Sequence, residues 1–231
     1  PRASHLTYGM AEAYGRCPYE YYLRHVLEYR EGLEPESDYA KNVLAMLNVI
    51  HAGGRRGGVP SGEEMAAMTD ATFHMRLATG STESKLRRDA VKTLSRYAGR
   101  HGMILGNEGS AVRTGRVFGG SSVTDVADLV GGDGRVTLFR PGRGAQNEHE
   151  RHAARAAFCA ASVGSGEGYV HYMSTGRSRR AVAEGSLEVI SRAVSGINAG
   201  DFAAAPEREK CKACGLARIC DRKGSVPDES G

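Results

Sequence analysis

The sequence predicts a mixed α/β fold of the α+β kind, in which a helical N-terminal part precedes a central sheet flanked by helices. Two observations predict this class. Apolar residues recur at helical spacing through most of the first hundred residues, and short runs rich in valine, threonine and leucine, separated by glycine pairs, follow Gly102. Helices, then a meander of strands, then a helix, two strands and a last helix are the element order of such a core.

The helical part is predicted over about residues 1–101. Thr7 can cap a first helix, and Pro18, which is tolerated in the first turn of a helix, marks the restart of a second helix through residues 19–27. This restart places Cys17 at a helix N-terminus, where the helix dipole favours a thiolate. Further helices are predicted over 39–51, from a capping box formed by Ser61 and Glu64, and over 83–97.

The sheet core is predicted over about residues 102–198. Its strands are expected at 103–105, 110–118, 122–129, 135–139, 169–173 and 180–183, with helices at 146–161 and 186–197. Residues 201–223 then hold a group of cysteines.

Length and composition allow one large domain or two small ones. The chain has 231 residues, 40% of them hydrophobic, and we expect a single domain over 1–223 and a disordered tail over 224–231. There is no apolar run near eighteen residues and no signal-peptide pattern, so we expect a soluble, cytoplasmic chain without a membrane partner. Because the first residue is Pro1 and not Met, we expect a processed chain or a piece of a longer protein.

Arginine carries most of the positive charge. The formal net charge is +4, the isoelectric point is about 8.9, and the arginines occur in clumps at Arg55-Arg56, Arg87-Arg88 and Arg177 with Arg179-Arg180. The planar fork of arginine suits phosphate, which makes nucleic acid the leading macromolecular partner. A solvated arginine-rich surface explains the same composition equally well.

Three of the five cysteines lie close together near the C-terminus, at Cys211, Cys214 and Cys220. Two thiolates at C-x2-C spacing bind one metal centre from a single tight turn, and Cys220 is near enough to add a third ligand. A tetrahedral thiolate site needs a fourth, for which the candidates are Cys17 and Cys159. Cys159 lies in an alanine-rich run, where a small buried residue explains it without a metal.

Both ends of the chain resemble one protein family. Leu-Thr-Tyr at 6–8 and Tyr-Gly-Arg-Cys-Pro-Tyr-Glu-Tyr-Tyr-Leu-Arg at 14–24 resemble the start of RecB-like nuclease domains of the PD-(D/E)xK superfamily. Asp-Phe-Ala-Ala-Ala-Pro at 201–206, with the three cysteines that follow, resembles the closing iron-sulfur staple of AddB-type recombination nucleases and of CRISPR-adaptation nucleases.

This resemblance implies a restriction-endonuclease-like central mixed sheet flanked by helices. It also implies a four-iron, four-sulfur (4Fe-4S) cluster that joins the two termini. Its ligands would be Cys17, Cys211, Cys214 and Cys220. A zinc ion on the same four thiolates is the alternative, because the spacing allows it equally well.

Active members of the family cut DNA with magnesium or manganese ions held by carboxylates, and their pattern is only partly present here. The pattern is a helix histidine, a strand Gly-x-Ile-Asp, a following strand Asp/Glu-x-Lys and a helix with Gln-x-x-x-Tyr. His51 fits the first position, and Asp125 fits the second, or Ser122 in another register. At the third, the resemblance places Arg140-Pro141-Gly142, with an arginine for the acid and a glycine for the lysine. The helix at 151–158 has neither glutamine nor tyrosine.

We therefore expect a nuclease fold that has lost its nuclease chemistry and binds DNA, as a single strand or at duplex ends. Its expected context is a helicase partner or a fused helicase domain, in repair, recombination or phage defence. Arg140 and Arg143, with Arg151 and Arg155, are expected to hold the phosphates. Because no Gly-Lys-Ser/Thr phosphate loop is present, the chain is not itself the ATP-driven motor.

Two other functions stay open. A magnesium- or manganese-dependent DNA exonuclease with a rearranged site would use His51, Glu108 and Asp125, with Asp128 beside them. A purely structural or protein-interaction domain would need the metal cluster for stability alone.

Overall fold

The computed structural model describes residues 5–29, 35–54, 58, 60–75, 78–101, 109–181 and 185–222. The chain forms two compact units. The first consists of Pro1–Gly32, Gly115–Asp125 and Gly185–Gly231, and the second of Leu33–Thr114 and Val126–Glu184. The single domain predicted over 1–223 stays a prediction, and the tail predicted over 224–231 lies outside the described residues.

The helices lie close to their predicted positions. Their bounds are α1 Tyr8–Arg16, α2 Pro18–Tyr21, which continues as a π-helix over Tyr22–Val26, α3 Pro35–Gly54, α4 Gly62–Thr72, α5 Gly80–His101, α6 Gln146–Ser162, α7 Ser186–Ala199 and α8 Arg208–Ala213. Within the described part of the chain, no helix combines the length and the apolar character that crossing a membrane requires.

The predicted helix starts are confirmed at both capping signals. Thr7 caps α1, because its hydroxyl accepts a hydrogen bond from the Met10 backbone N–H at 3.3 Å. Ser61 caps α4 in the same way, and the Glu64 carboxylate accepts in return from the Ser61 backbone N–H at 2.7 Å. Cys17 is extended, with φ −159°, and separates α1 from α2, so the predicted helix restart at Pro18 is also confirmed.

The strands are β1 His5–Thr7, β2 Gly109–Phe118, β3 Ser121–Val130, β4 Val136–Arg140, β5 Gly168–Tyr172 and β6 Arg177–Ala181. They form a six-stranded mixed sheet in the order β1-β3-β4-β5-β6, and β2 also pairs with β3. The β1–β3 and β4–β5 pairs are parallel, whereas the β3–β4 and β5–β6 pairs are antiparallel. The predicted mixed α/β class with a helical N-terminal part is therefore confirmed.

Two strand predictions differ from the structure. Residues 5–7 form a strand inside the part predicted as helical. The sequence did not predict this strand, because three residues are too few to show an alternating pattern. The last strand begins at Arg177 and not at Arg180, because Tyr172 pairs with Arg177 across a tight turn that ends at Gly176, with φ 66°. The strand predicted at 103–105 lies outside the described residues.

In the second unit, β4 is buried on both faces. Phe139 packs into a core formed with α3, α4 and α5, whose members include Met46, Leu47, Ile50, Met65, Phe73, Leu94 and Tyr97. Leu138 points to the other side and packs against Ala156 and Ala157 of α6 and Val170 and Tyr172 of β5. Since side chains alternate along a strand, Arg140 lies on the same face as Leu138 and faces α6.

Candidate functional site

The first candidate site is a pocket in the first unit that all four predicted cysteine ligands line. Cys17, Cys211, Cys214 and Cys220 border a small cavity of about 40 Å³ that is partly open to solvent. Each of the four is half-buried and none is in a disulfide, whereas Cys159 is fully buried on α6. The reading of Cys159 as a small core residue is therefore confirmed. We call this site the cysteine pocket.

Local backbone structure directs three of the cysteines to this pocket. Cys211 lies on α8 and Cys214 caps its C-terminus, with the Cys214 N–H 3.3 Å from the Cys211 carbonyl oxygen. A further turn follows, in which the Cys220 N–H donates to the Leu216 carbonyl at 3.1 Å, and the Leu216 side chain is buried beneath it. The residues from Cys211 to Cys214 and those from Leu216 to Cys220 thus form two consecutive tight turns, and Leu216 between them is buried.

A buried carboxylate held by two arginines borders the cysteine pocket. Glu20 is 3% exposed and accepts hydrogen bonds from Arg16 Nε at 2.6 Å, from Arg16 Nη2, and from Arg24 Nη2 at 3.0 Å. Burial is the main cause that raises the pKa of the Cys214 thiol, and Glu20 adds to it, whereas the Leu216 N–H, Arg16 and Arg24 act in the opposite direction. Cys214 is therefore a neutral thiol at pH 7 unless a metal displaces its proton.

The predicted catalytic residues do not form a metal site in the described part of the chain. His51 is 1% exposed within the second unit, where its Nε2 lies 2.9 Å from the Tyr97 hydroxyl and its ring packs against Phe139. Asp125 is half-buried on β3 in the first unit, and Glu108 lies outside the described residues. Among the residues described, no three histidine, cysteine or acidic side chains approach closely enough to hold one metal ion.

The structure instead assembles a polar cluster that the sequence did not predict. Arg140 is 8% exposed, and its Nη1 lies 3.3 Å from Asp128 Oδ2 and also donates to the Phe139 carbonyl. Its Nε donates to His152 Nδ1 at 3.1 Å, and Asp128 Oδ2 accepts from the Phe139 N–H at 2.7 Å. We call Asp128, Arg140 and His152 the Asp128–Arg140 cluster.

The electrostatics of this cluster keep His152 neutral. Burial, followed by the nearby Arg140, Arg151 and Arg155, lowers the pKa of His152 to about 3. Because His152 Nδ1 accepts a hydrogen bond from Arg140, its proton lies on Nε2, which faces Glu148 Oε1 at 3.8 Å. The cluster is thus a buried ion pair completed by a neutral imidazole.

The four arginines predicted to hold phosphates have different surroundings. Arg140 is buried and bonded within the cluster, whereas Arg143 and Arg151 are exposed and Arg155 is half-buried. One feature of the sequence could have predicted the approach of Asp128 and Arg140. Asp128 and Arg140 lie on opposite arms of the hairpin formed by β3 and β4, so their approach follows once those two strands are paired.

Comparisons with known proteins add little. No protein-family model matches the chain, and no curated protein matches it. Among solved structures, one described as "Crystal structure of SSO0001" is similar over 83% of this chain and 98% of its own, at 14% sequence identity and a TM-score of 0.41. A similarity of that size carries no argument about family or function.

Proposed function

We propose that the chain is a DNA-binding module with the scaffold of RecB-like nuclease domains, which holds DNA without cutting it. Two observations support the proposal: the mixed sheet, and the resemblance of both ends of the chain to that family. In this proposal the module works with a helicase partner or a fused helicase domain, in DNA repair, recombination or phage defence.

The Asp128–Arg140 ion pair is the observation that carries the loss of cleavage. The resemblance places the family's strand Asp/Glu-x-Lys at Arg140-Pro141-Gly142, where an arginine stands for the acid and a glycine for the lysine. Arg140 lies at the end of β4, and its guanidinium pairs with the Asp128 carboxylate of β3 at 3.3 Å.

An arginine at the position of the acid removes the metal chemistry. A hydrolytic metal ion needs several hard oxygen ligands, and a guanidinium supplies none. The nearby carboxylate of Asp128 is already paired with that guanidinium. Without the metal there is nothing to activate the attacking water.

The four cysteines of the pocket are the basis for proposing a bound 4Fe-4S cluster. Four thiol donors are the ligand set of such a cluster and also suit zinc. Among the described residues, which include these four, no three cysteines lie close enough together to hold one metal ion. Cys17, Cys211, Cys214 and Cys220 would hold the cluster and so tie the first residues of the unit to its last. Here the cluster stabilises the fold and takes no part in a reaction.

DNA cleavage and DNA binding are to be measured on the same protein. We expect no cleavage of labelled single-stranded or duplex DNA with magnesium or manganese, together with salt-dependent binding in fluorescence anisotropy. Manganese-dependent cleavage that Asp125→Ala or Glu108→Ala abolishes would overturn the proposal in favour of the exonuclease. Absence of binding at low salt, with capture by a helicase, would favour the protein-interaction domain.

The cluster has its own test in the absorbance of anaerobically purified protein. We expect a brown protein with broad visible absorbance that Cys214→Ser removes and Cys159→Ala leaves unchanged, because Cys159 does not border the pocket. A colourless protein that contains zinc would replace the iron-sulfur assignment with the zinc alternative.

A further inference from the structure

Two neighbouring loops of the second unit meet at one end of its sheet. Parallel strands β4 and β5 end side by side at Arg140 and Tyr172, so the loops over 141–145 and 173–176 leave the sheet at the same edge. Two hydrogen bonds join them, from the Met173 N–H to the Arg140 carbonyl at 2.8 Å and from the Ser174 hydroxyl to the Gly142 carbonyl at 2.6 Å. Ligands of open α/β sheets commonly bind at this end of parallel strands.

Five arginines surround these two loops. Arg96 on α5 donates to the Ser174 carbonyl at 3.3 Å, and Arg100, one turn later, lies against Gly176. Arg179 on β6 donates to the Gly144 carbonyl at 3.4 Å and to Gln146 Oε1 at 2.8 Å. Arg143 belongs to the first loop and Arg177 directly follows the second. We call Arg96, Arg100, Arg143, Arg177 and Arg179 the arginine rim.

Within the described part of the chain, no ion pair neutralises the arginine rim. Arg96, Arg100, Arg143 and Arg177 are exposed and Arg179 is half-buried. Among the described residues, none of the five guanidinium groups forms an ion pair, and the partners of Arg96 and Arg179 are neutral carbonyl and amide oxygens. Arg140 and Arg180 differ, because carboxylates pair with both. The Glu148 carboxylate lies against Gly142 of the first loop, but the five guanidinium groups of the rim outnumber it and attract a ligand with several negative charges.

We propose that the arginine rim binds the phosphodiester backbone of duplex DNA, an inference that rests on the proposed DNA-binding function. Guanidinium forks match phosphate oxygens in charge and shape. None of the large hydrophobic side chains exposed in the described chain belongs to the rim, so it offers no aromatic platform for the unpaired bases of a single strand. Contacts to phosphates alone hold a duplex without reading its sequence.

The test is a double variant, Arg143→Gln with Arg177→Gln, in fluorescence anisotropy titrations on a labelled blunt duplex. Both residues are exposed, so circular dichroism should report an unchanged fold. Each lost phosphate contact lowers the slope of log K against log salt by about 0.9 on a duplex. We therefore expect a slope lower by about 2 and an affinity weaker by roughly 10- to 100-fold at about 0.1 M salt.

Arg88→Gln is the matched control. Arg88 is exposed and lies on the same helix as Arg96, about two helical turns before it, so the variant removes one positive charge away from the rim. It should leave the slope unchanged. An equal effect per charge from Arg88→Gln would overturn the proposal in favour of general surface charge. If the wild-type chain binds DNA and the double variant binds it equally well, the rim is not the DNA-binding surface, while the proposed DNA-binding function stands.

The same titration on a single strand of equal length tests the choice of duplex. We expect weaker binding and a smaller loss in the double variant. Tighter binding of the single strand would overturn the duplex assignment. No binding of either DNA by the wild-type chain would overturn the proposed function itself.

Discussion

The cysteine pocket and the Asp128–Arg140 cluster both bring together residues of different elements, yet they were not equally predictable. All four cysteines predicted as ligands line one pocket. Of the cluster, Arg140 was predicted to hold DNA phosphates and Asp128 to stand beside a rearranged metal site, and the ion pair between them was not predicted. Spacing grouped three of the cysteines and the resemblance added Cys17, whereas the partners of Arg140 depend on the register of the sheet.

The two sites also differ in what completes them. The carboxylate, guanidinium and imidazole of the cluster satisfy one another, so the cluster is stable with protein atoms alone. The cysteine pocket contains four thiols around an open space, and a metal centre would supply the bonds between them. Removing one residue should therefore have different consequences in the two places.

The largest effect is expected in the cysteine pocket, from Cys214→Ser. Loss of one thiolate should release the proposed metal centre, whose binding free energy would be part of the folding free energy. We expect a loss of about 3 kcal/mol or more, which lowers Tm by roughly 6–12 °C in a chain of this size. Differential scanning calorimetry measures it, with Cys159→Ala as the control that keeps the metal.

A Cys214→Ser protein that keeps both its metal content and its Tm would contradict the assignment of this residue as a ligand. The pocket would then resemble the cluster, as a group of side chains that needs no bound partner.

The next effect is expected in the Asp128–Arg140 cluster, from Arg140→Met. It leaves the Asp128 carboxylate, 17% exposed, without its guanidinium, which should cost about 3 kcal/mol. Asp128→Asn keeps an acceptor for the Phe139 N–H, and the double variant should cost less than the sum of the two single changes by about 1–2 kcal/mol. Urea unfolding measures all three, and strictly additive costs would show that the pair is not coupled.

Much of the fold could be predicted because its signals are local. Capping residues at Thr7 and Ser61 and the proline after Cys17 set helix starts within a few residues. What failed was set at a distance. The strand at 5–7 is held by pairing with β3, where Leu6 lies opposite Val123. Arg140 faces α6 because Leu138, two residues earlier on β4, packs on that side of the sheet. Neither arrangement leaves a periodic pattern in the residues involved.

The packing of the first unit can be disturbed without changing a cysteine. In the first unit, a Cβ at Gly196 on α7 would overlap the hydroxyl of Tyr14, which donates to the Asp201 carbonyl at 2.6 Å. Gly196→Ala should therefore cost about 2 kcal/mol in urea unfolding while the visible absorbance persists.

Gly99→Ala on α5 is the control for this change, because no atom lies within 4 Å of the added Cβ. Alanine is the better helix former, so a gain of about 0.5–1 kcal/mol is expected. If Gly196→Ala bleached the protein, the pocket would depend on packing as much as on ligation, and the contrast with the cluster would weaken.

The smallest effect is expected from His152 and appears as a dependence on pH. Burial, followed by the nearby arginines, lowers the pKa of His152 from 6.5 to about 3, so between those pH values the unfolded chain binds a proton that the folded chain does not. This residue's contribution to stability is therefore lost as the pH falls from about 6.5 towards 3.

The variant His152→Asn tests this, because asparagine keeps an acceptor for Arg140 Nε but cannot titrate. Between about pH 7 and pH 4 the variant should lose about 1–2 kcal/mol less than the wild type, a figure reduced for the solvent that reaches a side chain 15% exposed. Urea unfolding at both pH values measures the difference. Equal losses in the two proteins would mean that His152 accepts a proton in the folded state, so that a guanidinium 3.1 Å away does not exclude it.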